Sequence, residues 1–305
     1  VIDLPLLRVE LREVGPRDGL QNESATVPTP TKIAFVERLA AARLPYVEAT
    51  SFVSPKWIPQ LADGPAVAKG LAKRPGTAYA ALVPNLQGYE AFRAAGTLQV
   101  AAVFLSATET HNKKNIHKSI GETFPVLREV VAAARRDGFA ARGYVSVVFG
   151  CPYEGKTPVE NVLRVTRELL AMGCEEISLG DTVGAANPRQ VKEVLPRLFE
   201  LAPPERFSLH FHDTRGTALA NALAAFEAGV RKFDGSAGGL GGCPYAPGAA
   251  GNVATEELVY LFSEMGIETG VDLEALLDAA RFIAGAVGRE LPSKYLKARS
   301  ASRSA

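Results

Sequence analysis

The chain has 305 residues, 47% hydrophobic and 22% charged, with 34 basic and 33 acidic residues and a formal net charge of +1. A core of that size needs no covalent staples, and the even charge, without a polybasic block or basic–aromatic stripe, argues against nucleic acid as a partner. An anionic substrate has to be met by a local cluster rather than a global field.

Short apolar runs rich in β-branched residues alternate with longer amphipathic segments from end to end. Strands are predicted over residues 9–14, 46–49, 78–83, 99–106, 141–149, 175–179, 207–212 and 232–237. Helices are predicted between them, as where Val126, Leu127, Val130, Val131 and Ala134, and later Val162, Val165, Leu169 and Leu170, recur at helical spacing. Thr29-Pro30 and Thr157-Pro158 mark helix starts. A further helix over 272–287 is expected to pack outside the last unit, and 298–305 reads as a frayed tail. No repeat or low-complexity linker interrupts the pattern, so one catalytic domain is expected, with its barrel at about 8–265.

Eight strand–helix units can close into a barrel or lie open as a doubly wound sheet. Polar residues gather just after the strands: Arg17-Asp18, Glu48 with Ser51, Asp181, His210 with His212, and the loop 238–252. Only a closed (β/α)8 TIM barrel brings all of those strand ends to one face. That fold is the expectation.

His210-Phe211-His212 sets two imidazoles on one side of a strand, a spacing that suits a shared metal ion. The plain alternative is a hydrogen-bonded polar pair. Asp213 and Thr214 read as openers of the next helix. After the first strand, Gly15-Pro16 forces a sharp exit and leaves Arg17 and Asp18 on an irregular loop. There Asp18 is either a turn residue or a hard oxygen ligand, and Arg17 either a surface charge or a fixed cation. The glycine-dense segment 235–252 would forfeit packing in a plain connector and suits a loop that closes on a ligand. Cys243 within it is a small buried hydrophobe or a reactive thiol. Asn252 is an N-cap for the next helix or an amide-oxygen ligand. Asp18, His210, His212 and Asn252 together form a nitrogen–oxygen set without thiolate, which favours Mg²⁺ or Mn²⁺ over zinc. Glu48 and Asp181 end strands and could hold Arg17 or a water, with structural ion pairing as the alternative. His111 and His117, beside Lys113 and Lys114, read as solvated, and Cys151 as structural.

Cys151, Cys174 and Cys243 form no even framework and no C-x-x-C, which suits a reducing compartment. Residues 1–8 lack a signal-peptide pattern, and no apolar stretch approaches the roughly 18 residues of a membrane span. A cytoplasmic protein without membrane contact is expected.

Several blocks resemble the hydroxymethylglutaryl-CoA lyase family of metal-dependent barrel lyases. They are Glu13-Val-Gly-Pro-Arg-Asp-Gly-Leu-Gln-Asn-Glu23, Glu48-Ala-Thr-Ser-Phe-Val-Ser-Pro-Lys-Trp57, Gly150-Cys-Pro-Tyr-Glu-Gly155, Ile177-Ser-Leu-Gly-Asp-Thr182, His210–Thr214 and Gly239-Leu-Gly-Gly-Cys-Pro-Tyr-Ala246. The resemblance implies metal ligation by Asp18, His210, His212 and Asn252, a catalytic set of Arg17, Cys243, Glu48, Asp181 and His210, and substrate contacts from Arg17, Gln21, Ser51, Tyr144 and Ser178. It implies retro-Claisen cleavage of 3-hydroxy-3-methylglutaryl-CoA, of the leucine-degradation and ketone-body type, by a homodimer acting on an acyl-CoA. Asp18, or a water positioned by Glu48 or Asp181, is the candidate base. The segment Gly288-Arg-Glu290 departs from the tail that grips CoA in mitochondrial-type members, which leaves the CoA contact open, with Arg289 and Lys294 as candidate substitutes. Two other readings are a lyase for a longer 3-hydroxy-3-alkylglutaryl-CoA, such as the isohexenyl form, and a Claisen-condensing acyltransferase of the same barrel group.

Overall fold

The predicted strands form and close on themselves. In the computed structural model, residues 7–243 and 246–301 are described, with the side chains of 243 and 246–249 outside that description. The strands β1 (Glu10–Glu13), β2 (Tyr46–Ser51), β3 (Ala78–Leu82), β4 (Val100–Ser106), β5 (Ala140–Ser146), β6 (Glu176–Asp181), β7 (Phe207–Phe211) and β8 (Lys232–Gly235) pair in sequence order, all parallel, and β8 returns to β1. This is a (β/α)8 barrel. Parallel strands covered by helices outside and packed side chains inside have no wet face, and every residue of β2, β6 and β7 is accordingly buried.

The helices are α1 (Thr29–Ala41), α2 (Gly64–Gly70), α3 (Leu86–Ala95), α4 (Glu109–Ile116), α5 (Ile120–Arg136), α6 (Val159–Met172), α7 (Pro188–Phe199), α8 (Ala218–Glu227), α9 (Thr255–Glu264), α10 (Leu273–Val287) and α11 (Lys294–Ala301). Several begin on side-chain caps that satisfy otherwise orphaned amides. Asn85 accepts from Gly88, Asn187 from Gln190 and Asp272 from Ala275, while Ser119 and Glu122 form a reciprocal capping box. Within α6, Val162, Val165 and Leu169 turn inward, as their spacing predicts. The helix expected outside the last unit is α10, and it lies against α1.

Four local expectations need correction. The fifth strand stops at Ser146 rather than reaching 149, because Val147 adopts a left-handed backbone, φ +56°. That conformation is costly for a β-branched residue; hydroxyls hold it on both sides, Thr182 Oγ1 accepting from its amide and Thr157 Oγ1 donating to its carbonyl. Asp213 and Thr214 do not open α8, which starts at Ala218, although the Asp213 carboxylate still accepts from the Ala218 amide at 3.1 Å. His111 is buried rather than solvated, its Nδ1 2.7 Å from the Ser106 hydroxyl. The segment 298–301, expected to fray, completes α11.

Candidate metal centre and active site

The mouth of the barrel is built by three chain segments, each shaped by a local constraint. After β1 the backbone makes a single π-helical turn, Gly15–Gly19, in which the amides of Arg17, Asp18 and Gly19 all point to the Val14 carbonyl. Such one-turn π segments are uncommon and collect at functional sites. The turn places Arg17 and Asp18 side by side, Arg17 Nη1 donating to Asp18 Oδ1 at 2.5 Å. On β7, His210 sits on the last turn of the pleat with Phe211 packed outward against Phe149, the ring centroids 5.8 Å apart.

The third segment is the return of the glycine loop. Strands β9 (Gly242–Cys243) and β10 (Ala246–Ala250) form a small antiparallel hairpin. The chain then runs beside the end of β7, with Asp213 donating its amide to Gly251 and Val253 donating to Phe211. Asn252 is thereby bridged directly to His212. Asn252 was expected to open the next helix; it instead lies two positions before Ala254, the N-cap of α9. Glycine is required where this path folds back: a Cβ on Gly251 would come 2.7 Å from Gly242 backbone, and one on Gly238, at φ +71°, 2.2 Å from Leu291.

Asp18, His210 and His212 present donor atoms within 4.8 Å of one another. Asp18 Oδ2 is 3.7 Å from His210 Nε2 and accepts from Asn252 Nδ2 at 3.0 Å. His212 Nδ1 and Asn252 Oδ1 are buried and have no hydrogen-bond partner. Buried polar atoms left unpaired are rare because each forfeits its hydration. His212 belongs to the cluster with Asp18 and His210, and the Asn252 amide touches Asp18, so the donor types gathered here fit a hard divalent cation.

Electrostatics point the same way. Burial opposes ionisation of Asp18, but Arg17, His210 and His212 outweigh it and hold the carboxyl below its ordinary range. Burial, and the neighbouring His210, push His212 down to about 3, so its imidazole is neutral and free to ligate. Burial also opposes a charge on His210, yet Asp234 and Asp18 prevail and raise it. Asp181 is pushed up to about 6 by burial, against amide hydrogen bonds from Ala185 and Ala186.

The other predicted site residues divide. Glu48 lies inside β2 rather than at its end; Arg17 Nε donates to it at 2.6 Å, and the Tyr144 hydroxyl donates to its other oxygen. Gln21 donates to Asp18 at 3.1 Å. Those groups therefore join the cluster. Ser51 is buried and accepts the Val53 amide, while Ser178 donates to Asp234 at 2.9 Å, so both hydroxyls are engaged in the framework. The side chain of Cys243 lies outside the described residues. Cys151 is buried and receives a hydrogen bond from Thr108, as befits a structural thiol. Arg289 is clamped by Glu23 through two hydrogen bonds, 2.5 and 2.9 Å, and Lys294 pairs with Asp213 at 3.0 Å.

The sequence reading missed four charged groups that the structure brings into the site's support. Arg142 and Asp234 lie inside the barrel, joined at 2.5 Å. Glu13 accepts from the Gly15 and Ala237 amides and from Thr255, and Glu256 receives the Gly238 amide, so two buried carboxyls brace both ends of the loop system. Burial raises them to about 8 and about 7. Their signal was charge inside a strand or opening a helix.

Residues 8–283 match the HMGL-like family model. The chain is 52% identical to hydroxymethylglutaryl-CoA lyase of Bacillus subtilis over 95% of its own length and 97% of that protein's. The chain belongs to the hydroxymethylglutaryl-CoA lyase family. To the mitochondrial member from Bos taurus it is also 52% identical, over 95% of this chain and 89% of that one. A crystal structure of the B. subtilis lyase superposes with a TM-score of 0.95 at 51% identity, covering 97% of this chain and all of that one. A family member from Acinetobacter baumannii, solved in complex with coenzyme A and 3-methylmalate, superposes at 0.91 with 42% identity and 95% of each chain covered. Family membership makes the protein a lyase and does not favour the condensing acyltransferase or the longer-chain lyase.

Proposed function

We propose that the protein cleaves 3-hydroxy-3-methylglutaryl-CoA to acetoacetate and acetyl-CoA. The observation that carries this reading is the pairing, 2.5 Å apart, of a buried cation, Arg17, with a carboxylate, Asp18, that belongs to a mixed nitrogen–oxygen donor set at the barrel mouth. Retro-Claisen cleavage needs both parts: activation of a tertiary hydroxyl and stabilisation of a thioester enolate.

Asp18, His210, His212 and Asn252 would hold the cation, Mg²⁺ or Mn²⁺, whose chemistry is to acidify the substrate hydroxyl. The hydroxyl proton leaves to a base at the mouth, for which Asp181, or a water that it positions, is the candidate. The carbon–carbon bond breaks, leaving a ketone on one fragment and its electron pair on the other as a thioester enolate. Arg17 faces the enolate oxygen; a preorganised donor of this kind contributes about 3–4 kcal/mol. Glu48 and Asp18 grip the guanidinium from two sides, and its carbon lies 5.4 Å from the Tyr144 ring centroid, so its direction is set before substrate arrives. The enolate carbon then takes a proton, the role we assign to the Cys243 thiol, and acetyl-CoA results. Arg289 and Lys294 are exposed and paired to Glu23 and Asp213, so a CoA phosphate would have to share or displace those carboxylates.

The reading extends to a cytoplasmic homodimer serving leucine degradation. No helix among the described residues is long and apolar enough to cross a membrane. The test is incubation of purified protein with hydroxymethylglutaryl-CoA and Mg²⁺ or Mn²⁺, with acetoacetate and acetyl-CoA as the expected products. Release of acetyl-CoA only from a longer 3-alkyl analogue, or net condensation with a 2-oxo acid, overturns it. Cys243→Ala is expected to bind Mn²⁺ normally and lose most turnover; unchanged turnover removes the thiol from the reaction.

A further inference from the structure

Asp234 on β8 is fully buried, and its two oxygens face different ways. Oδ1 takes the Arg142 guanidinium at 2.5 Å. Oδ2 accepts from Ser178 at 2.9 Å and stands 3.4 Å from His210 Nδ1, a buried nitrogen that makes no hydrogen bond in this arrangement. A carboxylate that served only to neutralise Arg142 would gain most by turning both oxygens onto the guanidinium in a bidentate pair. Asp234 gives up that geometry, and the oxygen it withholds takes the Ser178 hydroxyl and has the imidazole as its next polar neighbour.

The other ring nitrogen, Nε2, faces Asp18 Oδ2 at 3.7 Å, on the side of the donor cluster. His210 therefore spans from a floor carboxylate to the candidate metal centre. An imidazole ligates through Nε2 only when that nitrogen carries no proton, so in the neutral ring the proton has to sit on Nδ1, and an acceptor beyond Nδ1 fixes that tautomer. We infer that Asp234 is a positioning residue for His210, holding the ring with Nδ1–H toward the barrel floor and bare Nε2 toward the mouth, with Arg142 and Ser178 holding Asp234 in turn. The inference rests on the metal-dependent reading above.

The same network reaches the substrate side. Arg142 Nη1 donates to the Tyr144 hydroxyl at 2.7 Å, Tyr144 donates to Glu48, Glu48 holds Arg17, and Arg17 holds Asp18. One run of hydrogen bonds thus leads from Asp234 to the guanidinium that faces the enolate, with the His210 imidazole between its two ends, 3.4 Å from Asp234 and 3.7 Å from Asp18. Moving Asp234 changes the aim of His210 without touching substrate.

The experiment uses the full chain. In wild-type protein held above the pH at which the His210 ring loses its charge, ¹⁵N spectra of that ring, assigned with a His210→Gln variant, are expected to show the proton on Nδ1 and a bare Nε2; a proton on Nε2 of the neutral ring overturns the inference. In Asp234→Asn the amide NH₂ can face Nδ1 and drive the proton to Nε2. Mn²⁺ affinity, followed by the resonance of the free ion, is then expected to fall about 10–100-fold. Unchanged Mn²⁺ affinity with an unchanged tautomer makes Asp234 a counter-ion for Arg142 and nothing more. If the variant does not fold, the wild-type tautomer decides alone. Failure of wild-type protein to bind Mn²⁺ is a separate result: it removes the metal centre itself, and this inference with it.

Discussion

Two layers of buried polar side chains share the interior of one barrel and differ in how their charges are met. In the lower layer opposite charges touch throughout: Arg12 to Glu176 at 2.6 Å, Arg142 to Glu176 at 2.9 Å and to Asp234 at 2.5 Å, and Lys232 to Glu176 at 2.8 Å. Tyr46 lies under both guanidinium groups, 4.7 and 4.9 Å from their carbons. In the upper layer Asp18 and Arg17 are paired, but His212 Nδ1 and Asn252 Oδ1 stay unsatisfied. Atoms without a hydrogen-bond partner occur in both layers, Arg12 Nε and the Tyr46 hydroxyl among those below. In the lower layer, however, every charge meets an opposite charge, whereas above an imidazole nitrogen and an amide oxygen are left as neutral lone-pair donors. What sets the two apart is the kind of group left over, not hydrogen-bond satisfaction as such.

Breaking the lower layer is expected to have the largest effect, and on stability. Glu176→Gln leaves Arg12, Arg142 and Lys232 facing one another with a neutral amide, and removal of one partner from a buried pair costs about 3–5 kcal/mol. The midpoint of urea unfolding should drop accordingly. A shift under about 1 kcal/mol would mean that water reaches this layer, and that it is no scaffold. Breaking the upper layer should act on function instead. His212→Ala removes a ligand from a site that is already open, so Mn²⁺ binding should be lost and turnover fall on the order of 10³-fold, the several kcal/mol that a cation supplies. Metal-free stability should stay within about 1 kcal/mol of wild type. A large loss of metal-free stability would erase the distinction between the layers.

The sequence made the upper layer legible and hid the lower one, for a physical reason. Asp18, His212 and Asn252 stand at breaks in regular structure, where glycine, proline and polar residues signal an exit from a strand. Arg142, Glu176 and Asp234 stand within strands whose apolar neighbours dominate the pattern, and each would cost too much to bury alone. Only closure of the barrel brings these charges together, across 92 positions between Arg142 and Asp234. Strand ends were blurred by events with no local signature, such as the positive φ of Val147 and the register shift between Glu48 and Thr50 that carries β2 on to Ser51. Asn252 was placed at a helix start because its partner across the bridge, His212, is far away in the chain.

Between the two layers and the glycine loop lie Glu13 and Glu256, and they predict a smaller effect with a definite sign. Burial lifts Glu256 from an ordinary 4.5 to about 7, and Glu13 to about 8, despite the amides that donate to both. Between the unfolded and folded values the folded protein keeps protons that the unfolded chain has released. The stabilisation is therefore complete below about pH 4.5 and is lost as pH rises through 7 and 8, by on the order of 3 kcal/mol for Glu256. Glu256→Gln retains an oxygen for the Gly238 amide and has nothing to titrate. Its melting temperature, measured from pH 5 to pH 8.5, should decline less steeply than that of wild type, with the two curves crossing as the wild-type carboxylate ionises. Parallel curves would place Glu256 in contact with solvent. In that event the anchor of the glycine loop belongs with the open upper layer rather than with the closed network beneath it.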